Sequence, residues 1–187
     1  ETKFDSKTQP LLMGLAHAGE SLTPTAADPE TFVAELNAQR DKVQHFYENE
    51  VQRLIEQQSV LLAQLSRAKK LSIAERNSVT LASTDMYRTL QYLMNFCILN
   101  YTAVLKASKK FDKTAETTLL PSTKMGLESF SFVQYKEVDE LSHKLESAFA
   151  WAFCEGSLQI ARSTLLVRKE RPASWPLLSL GLRLGFA

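Results

Sequence analysis

The chain has 187 residues, 44% of them hydrophobic, so it is long enough to bury a core and too apolar for a disordered tail. Its 22 Lys and Arg nearly balance 21 Asp and Glu, and a net charge of +1 does not favour nucleic acid as a partner. Only six Gly and six Pro are present, which leaves few turn residues for sandwiches, barrels or βαβ units. The composition therefore favours helices.

The first predicted element is a flexible arm, because residues 1–27 show no sustained hydrophobic period. Asp28 and Pro29 are typical of a helix N-terminus, and they predict a long helix that runs to about Lys70. Apolar residues recur along it at near-helical spacing: Phe32, Leu36, Val43, Tyr47, Leu54, Leu61 and Leu65. At 1.5 Å per residue this helix would be roughly 60 Å long, so it needs a long helix beside it.

That partner is predicted after a polar connection around Ser72 to Ser78, and it runs to about Thr114. Its apolar stripe has alternating three- and four-residue steps: Tyr87, Leu90, Met94, Cys97, Tyr101, Val104 and Phe111. Residues 115–133 are predicted to be an irregular connection. Two shorter helices follow, at about 135–154 and 157–168, separated near Gly156. The predicted fold class is all-α, with two long antiparallel core helices and shorter C-terminal helices.

The C-terminal segment is mostly apolar from Trp175 onward. It is too short to span a bilayer, since a transmembrane helix needs about 20 apolar residues. Gly181 and Gly185 have the four-residue spacing that lets membrane helices pack closely. Two interpretations remain open, an apolar C-terminus and the first turns of a membrane span.

The most specific pattern is a set of four lysines near the end of the second long helix, Lys106, Lys109, Lys110 and Lys113. At about 100° per residue all four fall within an arc of about 100°, opposite Tyr101, Val104 and Phe111. Their repulsion is offset within the run only by Asp112. The lysines either form a solvated face at a helix C-terminus or bind a small polyphosphate.

Other side chains carry no visible chemistry. Cys97 and Cys154 lie far apart, and His17, His45 and His143 are scattered, so no metal site or cofactor is expected and a reducing, cytosolic setting is favoured. No nucleophile with a base and no phosphate-binding glycine loop is present, so we expect no enzyme activity. We predict core or half-buried positions for Tyr47, Tyr87, Tyr92 and Tyr101 and solvated ones for Glu137, Asp139, Glu140 and Glu146.

Two segments resemble a known family. The run from Asn100 to Lys113, Asn-Tyr-Thr-Ala-Val-Leu-Lys-Ala-Ser-Lys-Lys-Phe-Asp-Lys, resembles the signature helix of SPX domains, and Lys42-Val-Gln-His-Phe-Tyr47 resembles a signature of the preceding helix. Residues 130–135 and the helices around Gly156 resemble the closing helices of SPX domains attached to an EXS membrane domain. The segment from Gly181 to Phe186 is similar to the start of that domain's first membrane span.

The resemblance implies an SPX-like helical bundle that serves as the cytosolic regulatory domain of an SPX-EXS phosphate exporter. It assigns binding of an inositol polyphosphate or pyrophosphate, and thereby phosphate sensing, to Lys106, Lys109, Lys110 and Lys113, with Asn100 and Tyr101 shaping their helix. Lys3 is a secondary candidate, because Lys3 to Lys7 echoes the start of the usual N-terminal hairpin, which is otherwise not recognisable.

The resemblance also implies a domain organisation and a location. Residues 1–27 would be the arm, 28–171 the SPX-like domain and 172–187 the start of a transmembrane segment. The chain would then belong to a multi-pass protein, on the cytosolic face of the plasma membrane or an endomembrane. Its partners would be the EXS membrane domain of the same chain and a second copy in a homodimer, with no nucleic acid.

Two alternatives remain at this stage. In one, the long helices form a non-catalytic coiled-coil scaffold or oligomerisation domain and the lysines are only solvated. In the other, the lysines dock on anionic lipid headgroups.

Overall fold

A computed structural model describes residues 28–166 of the chain as an assembly of helices. The elements are α1 Pro29–Leu65, a 3₁₀ turn Ala68–Lys70, α2 Ile73–Ala115, α3 Leu120–Leu127, α4 Ser131–Gln134, α5 Lys136–Phe153 and α6 Leu158–Leu166. No strand occurs between residues 28 and 166. The predicted all-α class is confirmed.

The two long helices each begin at a polar side chain that caps the helix. The Asp28 carboxylate accepts a hydrogen bond from the Thr31 N–H at 3.2 Å, as expected for a helix cap before a first-turn proline. Ser72 and Glu75 form a reciprocal capping box at the start of α2. The segment 72–78, predicted to be a polar connection, is therefore already helical after Ser72. Helix α1 ends at Leu65 and does not reach Lys70.

The two long helices pack as an antiparallel hairpin. The Phe32 ring near the start of α1 stacks on the Phe111 ring near the end of α2, with centroids 4.0 Å apart. Farther along the hairpin, the Phe46 ring of α1 contacts the Phe96 ring of α2, with centroids 4.7 Å apart. The predicted stripes form the core, with most of their residues buried: Leu36, Val43, Tyr47, Leu54, Leu61, Leu65, Tyr87, Leu90, Cys97, Val104 and Phe111.

The connection after α2 differs from the prediction. Residues 115–133 were expected to be irregular, but they contain α3 and the single turn α4. Pro121 is compatible with the first turn of α3, where its missing N–H is not needed. The N-terminal end of α4 is satisfied by Gln44 of α1, whose Oε1 accepts from the Phe132 N–H at 3.3 Å.

Helices α5 and α6 cover one side of the hairpin, and their predicted separation near Gly156 is confirmed. Gly156 has φ of +84°, a conformation that L side chains rarely adopt. Core residues from these helices are Val138, Leu141, Leu145, Phe149, Ala161 and Leu165. The core therefore lies between the α1–α2 hairpin on one side and helices α5 and α6 on the other.

None of the helices between residues 28 and 166 is both long enough and apolar enough to cross a membrane. The predicted arm 1–27, with Lys3, and the predicted membrane segment 172–187 lie outside the described residues.

Candidate anion-binding site on the second helix

The four lysines lie in the last part of α2, and all four are exposed. Val104, Ser108 and Phe111 on the opposite side of the same helix are buried. We call Lys106, Lys109, Lys110 and Lys113 the lysine face. Its ammonium groups are directed away from the core, so a ligand reaches them without disturbing the packing of α2.

The lysine face carries uncompensated charge. Every lysine has two of the others at a spacing of three or four residues, which on a helix places Cβ atoms about 5–6 Å apart. No carboxylate between residues 28 and 166 forms an ion pair with any of the four. Such a cluster repels itself and attracts a compact polyanion with several phosphate groups.

Asp112, the one carboxylate within the lysine run, bonds to the connection that follows α2. Its Oδ1 accepts from the Leu119 N–H at 2.6 Å and its Oδ2 from the Leu120 N–H at 2.9 Å. Thr117 Oγ1 donates a third bond at 2.8 Å. Desolvation opposes ionisation, but these three hydrogen bonds outweigh it and lower the pKa of Asp112. Asp112 therefore caps α3.

The end of α2 that carries the lysines is fixed by a contact with α1 and by hydrogen bonds within α2. The stack of Phe111 on Phe32 fixes it to α1. Ser108 is fully buried and its hydroxyl donates to the Val104 carbonyl, so its small side chain leaves room for close packing. Beyond the helix, the N–H of Glu116 bonds to the Asp112 carbonyl. The four lysines therefore lie on a well-packed part of α2.

Residues 66–123 match the family model of the SPX domain. This segment is therefore similar to SPX domains. The matched range includes the turn before α2, the whole of α2 and the start of α3, so the lysine face lies within it. SPX domains are in general regulatory, non-catalytic domains of phosphate homeostasis that bind inositol polyphosphates. No curated protein matches the chain.

Two residues of the SPX signature, Asn100 and Tyr101, lie away from the lysine face. Asn100 is fully buried, and its Nδ2 donates to the Phe96 carbonyl at 2.8 Å. Its Oδ1 has no hydrogen-bond partner among the residues described. Tyr101 is half-buried against the core. Both residues contact the inside of the bundle, which agrees with a role in shaping α2 and not with direct ligand contact.

The α1 segment Lys42 to Tyr47, which resembles the other SPX signature, joins helices together. Val43 and Tyr47 are buried. The Tyr47 hydroxyl donates to Glu137 Oε2 of α5 at 2.8 Å, and burial, then this bond, raises the pKa of Tyr47 well above its ordinary value. Gln44 Nε2 donates to Ser131 Oγ at 2.6 Å. The segment therefore explains how α4 and α5 are positioned.

Two burial predictions were wrong. Glu146 was expected to be solvated but is 4% exposed. Its carboxylate accepts from the Tyr87 hydroxyl and from Arg162 Nε, both at 2.8 Å, so its charge is compensated inside the helical bundle. Burial and then the bond to Glu146 raise the pKa of Tyr87 to about 12. Tyr92, predicted to be core or half-buried, is 51% exposed.

Within residues 28–166 no three His, Cys, Asp or Glu side chains come together as a metal site would require. Cys97 and Cys154 are buried free thiols. Burial raises the pKa of Cys97 to about 12 and also raises the pKa of Cys154. Both therefore stay protonated near neutral pH and act as small core residues. Among the described residues, the lysine face is the site that the sequence analysis predicted for a ligand, and its four side chains are exposed.

Proposed function

We propose that this chain is a regulatory SPX module that binds an inositol polyphosphate or pyrophosphate on the lysine face and so senses phosphate status. The observation that carries the proposal is a set of four exposed lysines on one face of α2, opposite a buried face, none of which forms an ion pair within residues 28–166. Ammonium groups converging from one helix suit a small ligand with many phosphates, because each phosphate accepts several charge-assisted hydrogen bonds.

The proposed mechanism is electrostatic. A bound polyanion neutralises the lysine face and removes the repulsion between its members. Because the same end of α2 contacts the start of α1 through Phe111 and the start of α3 through Asp112, the ligand favours the arrangement of helices in which the lysines converge. A partner that contacts this end of α2 would bind differently when the ligand is present.

The wider context belongs to the proposal as well. The resemblance to SPX-EXS phosphate exporters supports a regulatory domain on the cytosolic face of the plasma membrane or an endomembrane, in a multi-pass protein. Residues 172–187 would begin the membrane portion, and the EXS domain of the same chain would be the partner that responds. A homodimer fits the same context.

Lys3 would extend the site if the N-terminal arm reaches the lysine face. The support is its position in the Lys3 to Lys7 segment, which is similar to the opening of SPX domains. Substitution Lys3→Ala should then weaken ligand binding by a smaller factor than substitution of any α2 lysine.

The deciding experiment is a calorimetric titration with inositol hexakisphosphate at two salt concentrations. Wild type is compared with the triple variant Lys106→Ala, Lys110→Ala, Lys113→Ala. We expect the triple variant to bind more than about 100-fold more weakly, since each charge-assisted hydrogen bond contributes about 1.5–3 kcal/mol. Wild-type affinity should fall as salt rises.

The matched control removes three cations from the other end of the hairpin, Lys69→Ala, Lys70→Ala, Arg76→Ala. This control should bind as wild type does, and circular dichroism should show the same helicity for all three proteins. Equal affinity of wild type and the lysine-face variant would contradict the proposal, and so would equal loss in both variants.

A scaffold is the second candidate function, favoured by exposed Ile98 and Leu99 on α2, which are 45% and 52% exposed. Such neighbouring apolar side chains on a long helix suit contact with a second copy. Sedimentation equilibrium distinguishes the candidates. Self-association that Ile98→Ser with Leu99→Ser abolishes, together with no response to inositol hexakisphosphate, would favour the scaffold.

A further inference from the structure

A second basic surface lies at the turn between α1 and α2, far from the lysine face. Arg67, Lys69, Lys70 and Arg76 are all exposed there. None of the four forms an ion pair with a carboxylate of the described residues. From Ile73 to Lys106, α2 rises about 50 Å at 1.5 Å per residue. The two basic surfaces are therefore too far apart to bind the same small ligand.

Two large apolar side chains project from the same end of the hairpin. Trp151 of α5 and Ile73 at the start of α2 are each 81% exposed. Trp151 borders an open cleft of about 360 Å³ together with Lys69 and Arg76. Its neighbours along α5, Phe149 and Ala150, are buried, so the indole points away from a well-packed helix. We call Arg67, Lys69, Lys70, Ile73, Arg76 and Trp151 the turn surface.

The charge of the turn surface favours an anionic partner. Its four cations face two nearby carboxylates, Glu75 and Glu155. The carboxylate of Glu75 is engaged by the N–H and hydroxyl of Ser72, both at 2.7 Å. The four cations are exposed and form no ion pair within residues 28–166, so an anion can reach them.

We propose that the turn surface binds an anionic phospholipid membrane. Lys and Arg would contact headgroup phosphates, while Trp151 and Ile73 would enter the interface between headgroups and acyl chains. Tryptophan is the side chain that prefers this depth, because its ring is apolar and its N–H is polar. Both apolar side chains are 81% exposed, and a lipid interface can bury them, whereas an extended acidic peptide would neutralise only the cations.

The test uses Trp151 as its own reporter. The chain contains two tryptophans, so Trp175→Phe leaves Trp151 alone. Vesicles of phosphatidylcholine with phosphatidylserine, some carrying brominated acyl chains, are added to this single-tryptophan protein. We expect a blue shift of its emission and quenching by bromine with the anionic vesicles, and neither with pure phosphatidylcholine.

Charge reversal on the turn surface should weaken this signal. Lys69→Glu with Lys70→Glu is expected to lower the vesicle partition coefficient at least about tenfold, since each cation near an anionic membrane adds a factor of about five. The matched control, Lys106→Glu with Lys110→Glu on the lysine face, should leave the quenching of Trp151 unchanged. Conversely, the turn variant should retain binding of inositol hexakisphosphate.

A third variant is expected to strengthen vesicle binding, so the proposal can still be tested if the turn variant fails to fold. Glu155→Gln removes a carboxylate from the cleft and should strengthen vesicle binding. Quenching reports on Trp151 alone, so attachment of the chain through another segment does not mimic the result.

Four outcomes would overturn the proposal. They are no quenching with anionic vesicles, equal quenching with neutral ones, equal loss in the turn and lysine-face variants, and an equal blue shift with soluble polyglutamate. The last outcome would assign the turn surface to an acidic protein partner.

Discussion

At the scale of single residues, buried polar side chains join helices that are distant along the chain. Glu146 of α5 accepts hydrogen bonds from Tyr87 of α2 and Arg162 of α6, and so connects three helices. Gln58 of α1 is also buried and donates from Nε2 to the Leu141 carbonyl at 2.7 Å. A buried carboxylate is tolerated only with such partners, because an unpaired charge in the core costs several kcal/mol.

Tyr87→Phe should therefore destabilise the domain by about 1–3 kcal/mol, since it takes one hydrogen bond from a buried carboxylate. Urea denaturation measures the loss. Tyr101→Phe is the matched control, because the Tyr101 hydroxyl makes no hydrogen bond among the residues described, and it should cost much less. A similar loss in both variants would contradict the assigned role of the Glu146 bond.

The same bond predicts a pH dependence. The folded-state pKa of Tyr87 is raised from 10.0 to about 12, so its stabilisation is complete below pH 10 and is lost as pH rises through about 12. Tyr87→Phe lacks this titration. The difference in free energy of unfolding between wild type and variant should then narrow between pH 10 and 12, and a constant difference would refute the linkage.

At the scale of elements, the connection from α2 to α3 is organised by Asp112. Its carboxylate satisfies the N–H groups of Leu119 and Leu120, which begin α3 without another cap. Because α3 packs on the lysine end of α2, this carboxylate also fixes what surrounds the candidate site. The acidic residue of the signature thus has a structural role beside its charge.

Asp112→Asn should lower the thermal midpoint by roughly 5 °C, because an amide has a single acceptor oxygen for three donors. Asp85→Asn is the control, since within residues 28–166 the Asp85 side chain makes only an exposed ion pair with Arg88, and its replacement should change little. The lowered pKa of Asp112 means that its stabilisation is present above the ordinary carboxyl pKa and is lost as pH falls through the lowered value. Midpoints of wild type and variant should converge in that acidic range, and a gap that persists at the lowest pH would argue against the cap.

At the scale of the whole molecule, the antiparallel hairpin separates two charged surfaces. The lysine face lies at one end, beside the start of α1, and the turn surface at the other. The cations of both surfaces form no ion pair with a carboxylate of residues 28–166, so their mutual repulsion weakens the fold slightly. An anion bound at either proposed site would remove this repulsion.

This arrangement predicts that removing lysines from the lysine face raises the free energy of unfolding and lowers the affinity for a polyanion. Lys106→Ala with Lys110→Ala removes three of the four close lysine pairs and should raise the free energy of unfolding by about 1 kcal/mol at low salt. The gain should shrink at high salt, where the repulsion is screened. Inositol hexakisphosphate should raise the thermal midpoint of wild type and not of this variant. A variant less stable than wild type at low salt would contradict the repulsion.

Much of the hairpin could be predicted from the sequence. The stripes from Phe32 to Leu65 and from Tyr87 to Phe111 have helical spacing, and the cap at Asp28 is local, so neither depends on knowing the rest of the fold. The lysine face follows from the same spacing, because residues three and four apart share a side of any helix. Binding of a ligand by these lysines stays a prediction.

Other features depended on side chains brought together from far apart in the chain. Glu146 looks like one acidic residue among several in α5, and only Tyr87 and Arg162, 59 and 16 residues away, make its burial favourable. Helices α3 and α4 lack a cap in their own sequence, and the side-chain oxygens of Asp112 and Gln44 accept hydrogen bonds from their first N–H groups. Local periodicity determined the helices and the face that carries charge, whereas burial of polar groups was decided by tertiary structure, because a hydrogen-bond partner compensates desolvation only once folding has placed it there.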